Sequence, residues 1–202
     1  DRVRGQNSQG AGDDSETIAV TTLPAAPSTT GATNITTTSF YANWSAATSA
    51  TNYFLDVSTN SSYTSYVTGF SNQSVGNVLT MPLSGLLPGR TYYYRVRAQN
   101  STGTSGNSSS RTVYLVPEAP VALPATSVTT TSFYANCSSV AGASRYFLDV
   151  ANDSGFTSYV SGFSNLMAST SRQVTKLTNG STYYYRFRAN NNGGTSTNSN
   201  II

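Results

Sequence analysis

The sequence predicts an all-β protein: tandem β-sandwiches with seven strands per module, in a chain of 202 residues. Three observations carry this. Along Thr91–Asn100, Tyr92, Tyr94, Val96 and Ala98 alternate with Tyr93, Arg95 and Arg97, the period-2 pattern of a half-buried strand. The same stretch returns at Thr182–Ala189 and in part at Arg2–Gln6, so the chain is a repeat array out of phase with its own repeats. No segment shows helical periodicity of useful length, whereas short runs bounded by turn residues recur throughout.

Composition agrees. Only 9% of residues are charged, there are 14 Tyr and one Trp, and Ser, Thr, Asn and Gly abound, a β-rich extracellular composition. At this length two domains of roughly 90 residues each are expected. The net charge of +3 comes from scattered arginines, not a basic run, which argues against nucleic acid and membrane-surface partners. No apolar run is long enough to span a bilayer, and the first residues carry no signal-peptide pattern. Histidine is absent, which excludes His-based triads and the common zinc sites. With one lysine, Lys176, and no glycine-rich phosphate loop, neither enzyme chemistry nor a cofactor or metal is expected.

In chain order, residues 1–26 align without a gap to 94–119. Residues 1–25 are therefore a partial repeat: the end of a sixth strand, a loop from Asn7 to Ser15, and a seventh strand, Thr17–Thr22. Asp13, Asp14 and Glu16 read as solvated loop charge or a calcium cluster, without EF-hand spacing. Leu23–Pro27 and Pro117–Pro120 are stiff, proline-bearing junctions. Module 1, residues 26–117, has predicted strands Gly31–Ile35, Thr38–Ser45, Asn52–Ser58, Ser65–Thr68, Asn77–Met81, Thr91–Asn100 and Ser109–Val116. Module 2, residues 118–202, has Ala125–Val128, Thr131–Ser138, Arg145–Ala151, Ser158–Ser161, Ser171–Leu177 and Thr182–Asn191, and lacks most of its seventh strand.

Leu86, the Pro88-Gly89 turn, Tyr92, Val96 and Ala98 together resemble the fibronectin type III (FnIII) pattern. The resemblance implies an Ig-like sandwich. It makes Tyr92 and Tyr183 tyrosine corners, each hydroxyl bonding back to the backbone near the preceding turn. It also places Trp44 in the core, so its counterpart Cys137 reads as a buried, inert thiol, with a reactive thiol or an intermolecular disulfide as the alternative. The closeness of Tyr53–Val57 to Tyr146–Val150 is similar to long FnIII arrays of bacterial secreted and surface proteins.

Past Tyr183 the repeat shift makes Ile202 the counterpart of Arg111, so Val113 and Leu115 have none. The truncated sandwich is expected to expose an acceptor edge at Arg186, Phe187, Arg188 and Ala189. Ile18, Val20 and Thr22 share one face of the spare N-terminal strand and are the candidate donors. Donor-strand complementation would join copies head to tail in an open filament. The competing reading is an excerpt of a longer continuous array. The expected partners are thus copies of the same chain or neighbouring repeats of it.

The outward face of the third and sixth strands carries Phe54, Asp56, Tyr93, Arg95 and Arg97, repeated as Phe147, Asp149, Tyr184, Arg186 and Arg188. Phe54, Tyr93, Arg95, Phe147, Tyr184 and Arg186 form a candidate binding face for glycans or a partner, by ring stacking. Its alternative is a self-contained ladder of Asp–Arg pairs and packed arginine stems. Among nine Asn-x-Ser/Thr sequons, the loop positions Asn60, Asn72, Asn100 and Asn107 are the candidate glycosylation sites. The function expected is a structural extracellular fibre or cell-surface stalk. The alternative is an adhesin or carbohydrate-binding spacer in a larger secreted protein.

Overall fold

The computed structural model describes residues 1–202 and contains sixteen strands and no helix. It opens with a hairpin of β1 (Gln6–Asn7) and β2 (Gly10–Ala11). Backbone bonds continue the hairpin outward: Gly12 N–H to Gly5 O at 2.9 Å, Ser15 N–H to Val3 O at 2.8 Å and Ile18 N–H to Asp1 O at 3.2 Å. The predicted strand Thr17–Thr22 does not form. In module 1 the matching strand pairs with Thr91–Tyr94, and of these only Tyr94 has a counterpart here, Asp1.

The next seven strands build the first sandwich. They are β3 (Phe40–Asn43), β4 (Asn52–Ser58), β5 (Gln73–Gly76), β6 (Thr80–Leu83), β7 (Thr91–Asn100), β8 (Gly103–Thr104) and β9 (Arg111–Tyr114). One sheet pairs β3 with β6; the other runs β5-β4-β7, with β8 and β9 both on the far side of β7. Strands β4 and β7 have the predicted bounds. The predicted Gly31–Ile35 shrinks to bridges Thr29–Trp44 and Thr33–Tyr41, because Asn34 turns to a φ of +50°. The predicted Ser65–Thr68 survives only as a bridge from Tyr66 to Ser58, and the edge strand is β5 instead. The predicted Asn77–Met81 moves to Thr80–Leu83, where Leu83 stands opposite Phe40 and enters the core.

The second sandwich repeats the plan. Its strands are β10 (Ala122–Thr126), β11 (Phe133–Cys137), β12 (Arg145–Ala151), β13 (Leu166–Ala168), β14 (Ser171–Val174), β15 (Tyr184–Asn191) and β16 (Gly194–Thr195). The sheets are β10-β11-β14 and β13-β12-β15-β16. The predicted Ser158–Ser161 is again only a bridge, from Tyr159 to Ala151.

Each sandwich has its own core. Phe40, Ala42 and Trp44 from one sheet face Leu55, Val57, Tyr94 and Val96 from the other, closed by Val113 and Leu115. Burial of each large apolar side chain contributes about 1.5–3 kcal/mol. In the second core Cys137 takes the place of Trp44, and burial pushes its thiol up to about 11. Trp44 Nε1 is buried without a hydrogen-bond partner. The larger indole fills space that Cys137 leaves to its neighbours.

Candidate functional site

Residues of the predicted outward face lie in the predicted register: Asp56 opposite Arg95, Phe54 opposite Arg97, and Asp149 opposite Arg186. The face is not open. The chain after β4 folds back across it, so Asp56, on the outward side of its strand, is only 4% exposed. Its carboxylate accepts the Asn72 N–H at 2.6 Å and Arg95 Nε at 2.9 Å. The Arg95 guanidinium lies 4.1 Å from the Tyr63 ring centre, and Arg97 Nη2 donates to Asn72 Oδ1 at 2.6 Å. Module 2 repeats the arrangement: Arg186 and Arg188 hold Asp149, and the Phe156 ring lies 4.0 Å from Arg186. The Tyr63 hydroxyl bonds Ser110 Oγ at 2.8 Å, and burial raises its pKa. Phe156 and Ile201 occupy the matching places, so hydroxyl and partner are lost together. Phe54, Tyr93, Phe147 and Tyr184 stay half-buried along this ladder. Each of the four arginines donates to the chain's own groups, while Arg97 Nε and Arg188 Nε are buried without a partner.

Both corner tyrosines close on the preceding turn. The Tyr92 hydroxyl accepts the Leu87 N–H at 3.0 Å, and the Tyr183 hydroxyl accepts the Thr178 N–H at 2.8 Å. That bond holds the Tyr183 phenol below its ordinary pKa. Tyr92 is buried beside Val113, whereas Tyr183 is half-exposed, since no strand lies beside it.

The edge predicted at Arg186–Ala189 is already occupied from within the chain. Phe187 O accepts the Ser199 N–H and Ala189 O accepts the Ser196 N–H. Phe187 N–H and Ala189 N–H donate to the hydroxyls of the same two serines. Arg186 and Arg188 pair with β12 on the other side. Ile202 pairs with Tyr185, so the edge without a neighbour is Thr182–Tyr184. Of the proposed donors, Ile18 and Val20 are exposed, while Thr22 O takes part in a contact with module 1.

That contact is the feature the sequence reading missed. Asn100, a candidate glycan acceptor, is 7% exposed, and its Nδ2 donates to Thr22 O at 2.8 Å. A glycan on this nitrogen would require unpacking it. At the next boundary Asn191 Nδ2 donates to Leu115 O, again at 2.8 Å. Each side chain is held by an Asx turn, Asn100 Oδ1 accepting the Thr102 N–H and Asn191 Oδ1 the Gly193 N–H. The recurrence of Asn7, Asn100 and Asn191 before the same turn was the available signal. On the other flank Gly89, in the turn after β6, meets Ala141 and Gly142 so closely that a Cβ on Gly142 would lie 1.9 Å from Gly89 O. Of the remaining sequons, Asn60 Nδ2 donates to Thr64, whereas Asn72 and Asn107 are exposed.

In the N-terminal hairpin Asp14 pairs with Arg2 at 2.9 Å, and no group of three or more acidic, Cys or His side chains is arranged to hold a metal ion. No helix is long and apolar enough to cross a membrane.

Residues 25–114 match the family model described as Fibronectin type III domain. No curated protein matches the chain. Among solved structures, it is similar to a two fibronectin type-III domain segment from chicken tenascin, at 14% identity and a TM-score of 0.48, over 89% of this chain and 98% of that one. It is also similar to the FN1-FN3 domains of chicken CNTN1, at 14% identity and a TM-score of 0.42, over 100% of this chain and 75% of that one.

Proposed function

We propose that this chain of fibronectin type III sandwiches is a structural segment of an extracellular fibre or surface stalk, in which modules follow one another at a fixed angle. Domains of this family generally serve structural and adhesion roles in multidomain proteins. The observation that carries the reading is the repeated clasp: Asn100 to Thr22 and Asn191 to Leu115, the same bond at two successive boundaries. A flexible linker would need no such bond. A proline-bearing junction clamped on one flank by Asn191 and packed on the other at Gly89 and Gly142 transmits orientation from module to module.

Successive units join by chain continuity or by strand complementation. In the second case the strand of one copy that carries Ile18, Val20 and Thr22 lies along Thr182–Tyr184 of the next, whose counterparts Thr91–Tyr93 pair with Thr112–Tyr114 in module 1. The buried Asp–Arg ladders brace the sandwiches and leave the outward face with little for a sugar to displace, which disfavours the carbohydrate-binding alternative.

Negative-stain electron microscopy of the purified chain at neutral pH tests this. Rods with one narrow distribution of intermodule angle are expected, and particles whose modules adopt all angles would overturn it. Filaments with an axial repeat of two modules, abolished by deleting residues 1–22, would select strand complementation over continuity.

A further inference from the structure

The lateral opening of the second sandwich differs from that of the first. Between the edge strands β13 and β14 lies a groove of about 500 Å³, whose lining includes Arg145, Tyr146, Met167, Ala168 and Arg172. Arg172 stands opposite the buried Ala135 and two residues before the buried Val174, so it occupies a core-facing position at the rim. The matching residue of module 1 is Met81, opposite Ala42 and packed against the core. Arg145 replaces Asn52, and Met167 replaces Ser74. Neither Arg145 nor Arg172 has an acidic partner within the chain, unlike Arg186 and Arg188. Module 2 therefore carries a basic groove with an apolar wall, Met167 being 60% exposed.

We propose that this groove docks a second copy of the chain through the acidic segment 13–18 of its N-terminal hairpin. The argument is complementarity of charge and apolarity. Asp13 and Glu16 are exposed and make no salt bridge, and Ile18, two residues beyond Glu16, is 68% exposed. Two unpaired carboxylates and one apolar side chain thus face outward on one copy. The groove of another offers two unpaired guanidinium groups beside Met167 and Tyr146. Arg and carboxylate pair well at such rims, and the forked guanidinium holds its partner in orientation. This contact leaves the intrachain clasp at Asn191 untouched and competes with strand complementation, which would use the same Ile18.

A simpler role for Arg172 exists: an inward charge on an edge strand discourages edge-to-edge pairing. The two roles predict opposite signs. Sedimentation velocity of the whole chain at about 50 mM and about 500 mM salt separates them, because screening weakens exposed ion pairs. Self-association at low salt that fades at high salt is expected. Arg145→Asn with Arg172→Met restores the residues that fold in module 1, and should weaken association about tenfold. Asp13→Lys with Glu16→Lys should weaken it similarly. Mixing that variant with Arg145→Glu/Arg172→Glu should restore a heteromeric complex. A chain monomeric at both salt concentrations, association unchanged by the groove variants, or association increased by removing Arg172 would each overturn the proposal. So would an oligoglutamate peptide binding the groove of a chain that stays monomeric, which would make the occupant an acidic segment of another protein.

Discussion

Arg95 Nε donates to Asp56 Oδ2 at 2.9 Å, across a directly opposed strand pair, and the aspartate is all but sealed from solvent. Arg186 and Asp149 repeat the pair at 3.2 Å. Removing one partner of a buried pair leaves an uncompensated charge, which costs about 3–5 kcal/mol; the partial exposure of the arginines puts the expected loss at the low end. Asp56→Ala should therefore lower the stability of the first sandwich by about 3 kcal/mol in denaturant unfolding. A loss under about 1 kcal/mol would mean that the ladder is surface decoration.

The alternation along β4, β7, β12 and β15 was legible because half-buried strands force period 2, and repetition doubled the signal. What was not legible follows from cooperation between segments. Gly31–Ile35 reads as a strand, but Asn34 adopts a left-handed turn that only the surrounding chain dictates. Thr17–Thr22 has strand composition, yet no neighbour to pair with beyond Ile18. The face of Phe54 and Arg95 was found in register, but the loop that covers it has no periodicity of its own. Asn100 was read as a loop sequon because a junction contact between distant residues leaves only one trace in sequence, its recurrence at Asn191.

The corner hydroxyls should differ in worth. Tyr92→Phe removes a bond in a buried setting, where a net loss of about 1 kcal/mol is expected. Tyr183→Phe removes an equivalent bond beside water, which can satisfy the Thr178 N–H, so a smaller loss is expected. Paired unfolding curves check the order; equal losses would show that exposure does not set the value.

Cys137 makes stability depend on alkaline pH. Its folded pKa is raised from 9.0 to about 11 by burial, so the folded state keeps the proton where the unfolded state has lost it. Stability is full below pH 9, falls between about pH 9 and 11, and then levels for this group. Tyr63, Tyr94 and Tyr185 are also shifted upward by burial and add loss of the same sign at higher pH. Two units correspond to about 3 kcal/mol at most. Cys137→Ala should flatten the fall between pH 9 and 10, read as the difference between the two unfolding free energies. The native thiol should also resist alkylation at pH 8 until the second sandwich unfolds.

The junction offers the sharpest separation of fold from function. Gly142 sits at a φ of +72°, and an added Cβ would meet the Gly89 carbonyl oxygen at 1.9 Å. The Cβ direction is fixed by the backbone and the oxygen belongs to it, so neither can swing aside; the two modules must part or rotate. Asn191 Nδ2 would then lose its reach to Leu115 O, because the two contacts flank the same proline-bearing linker. Each core is closed by its own residues and does not include Gly142. Gly142→Val should therefore leave both sandwiches folded, with the second destabilised by more than about 1 kcal/mol because a β-branched residue is strained at positive φ. It should nonetheless broaden the intermodule angle seen by small-angle scattering and microscopy. Asn191→Ala should act in the same direction more weakly, since it removes the clasp to Leu115 but leaves the close approach of Gly89 and Gly142 in place. If Gly142→Val leaves the angle distribution unchanged, the close approach does not set the orientation, which then rests on the Asn191 clasp and the prolines.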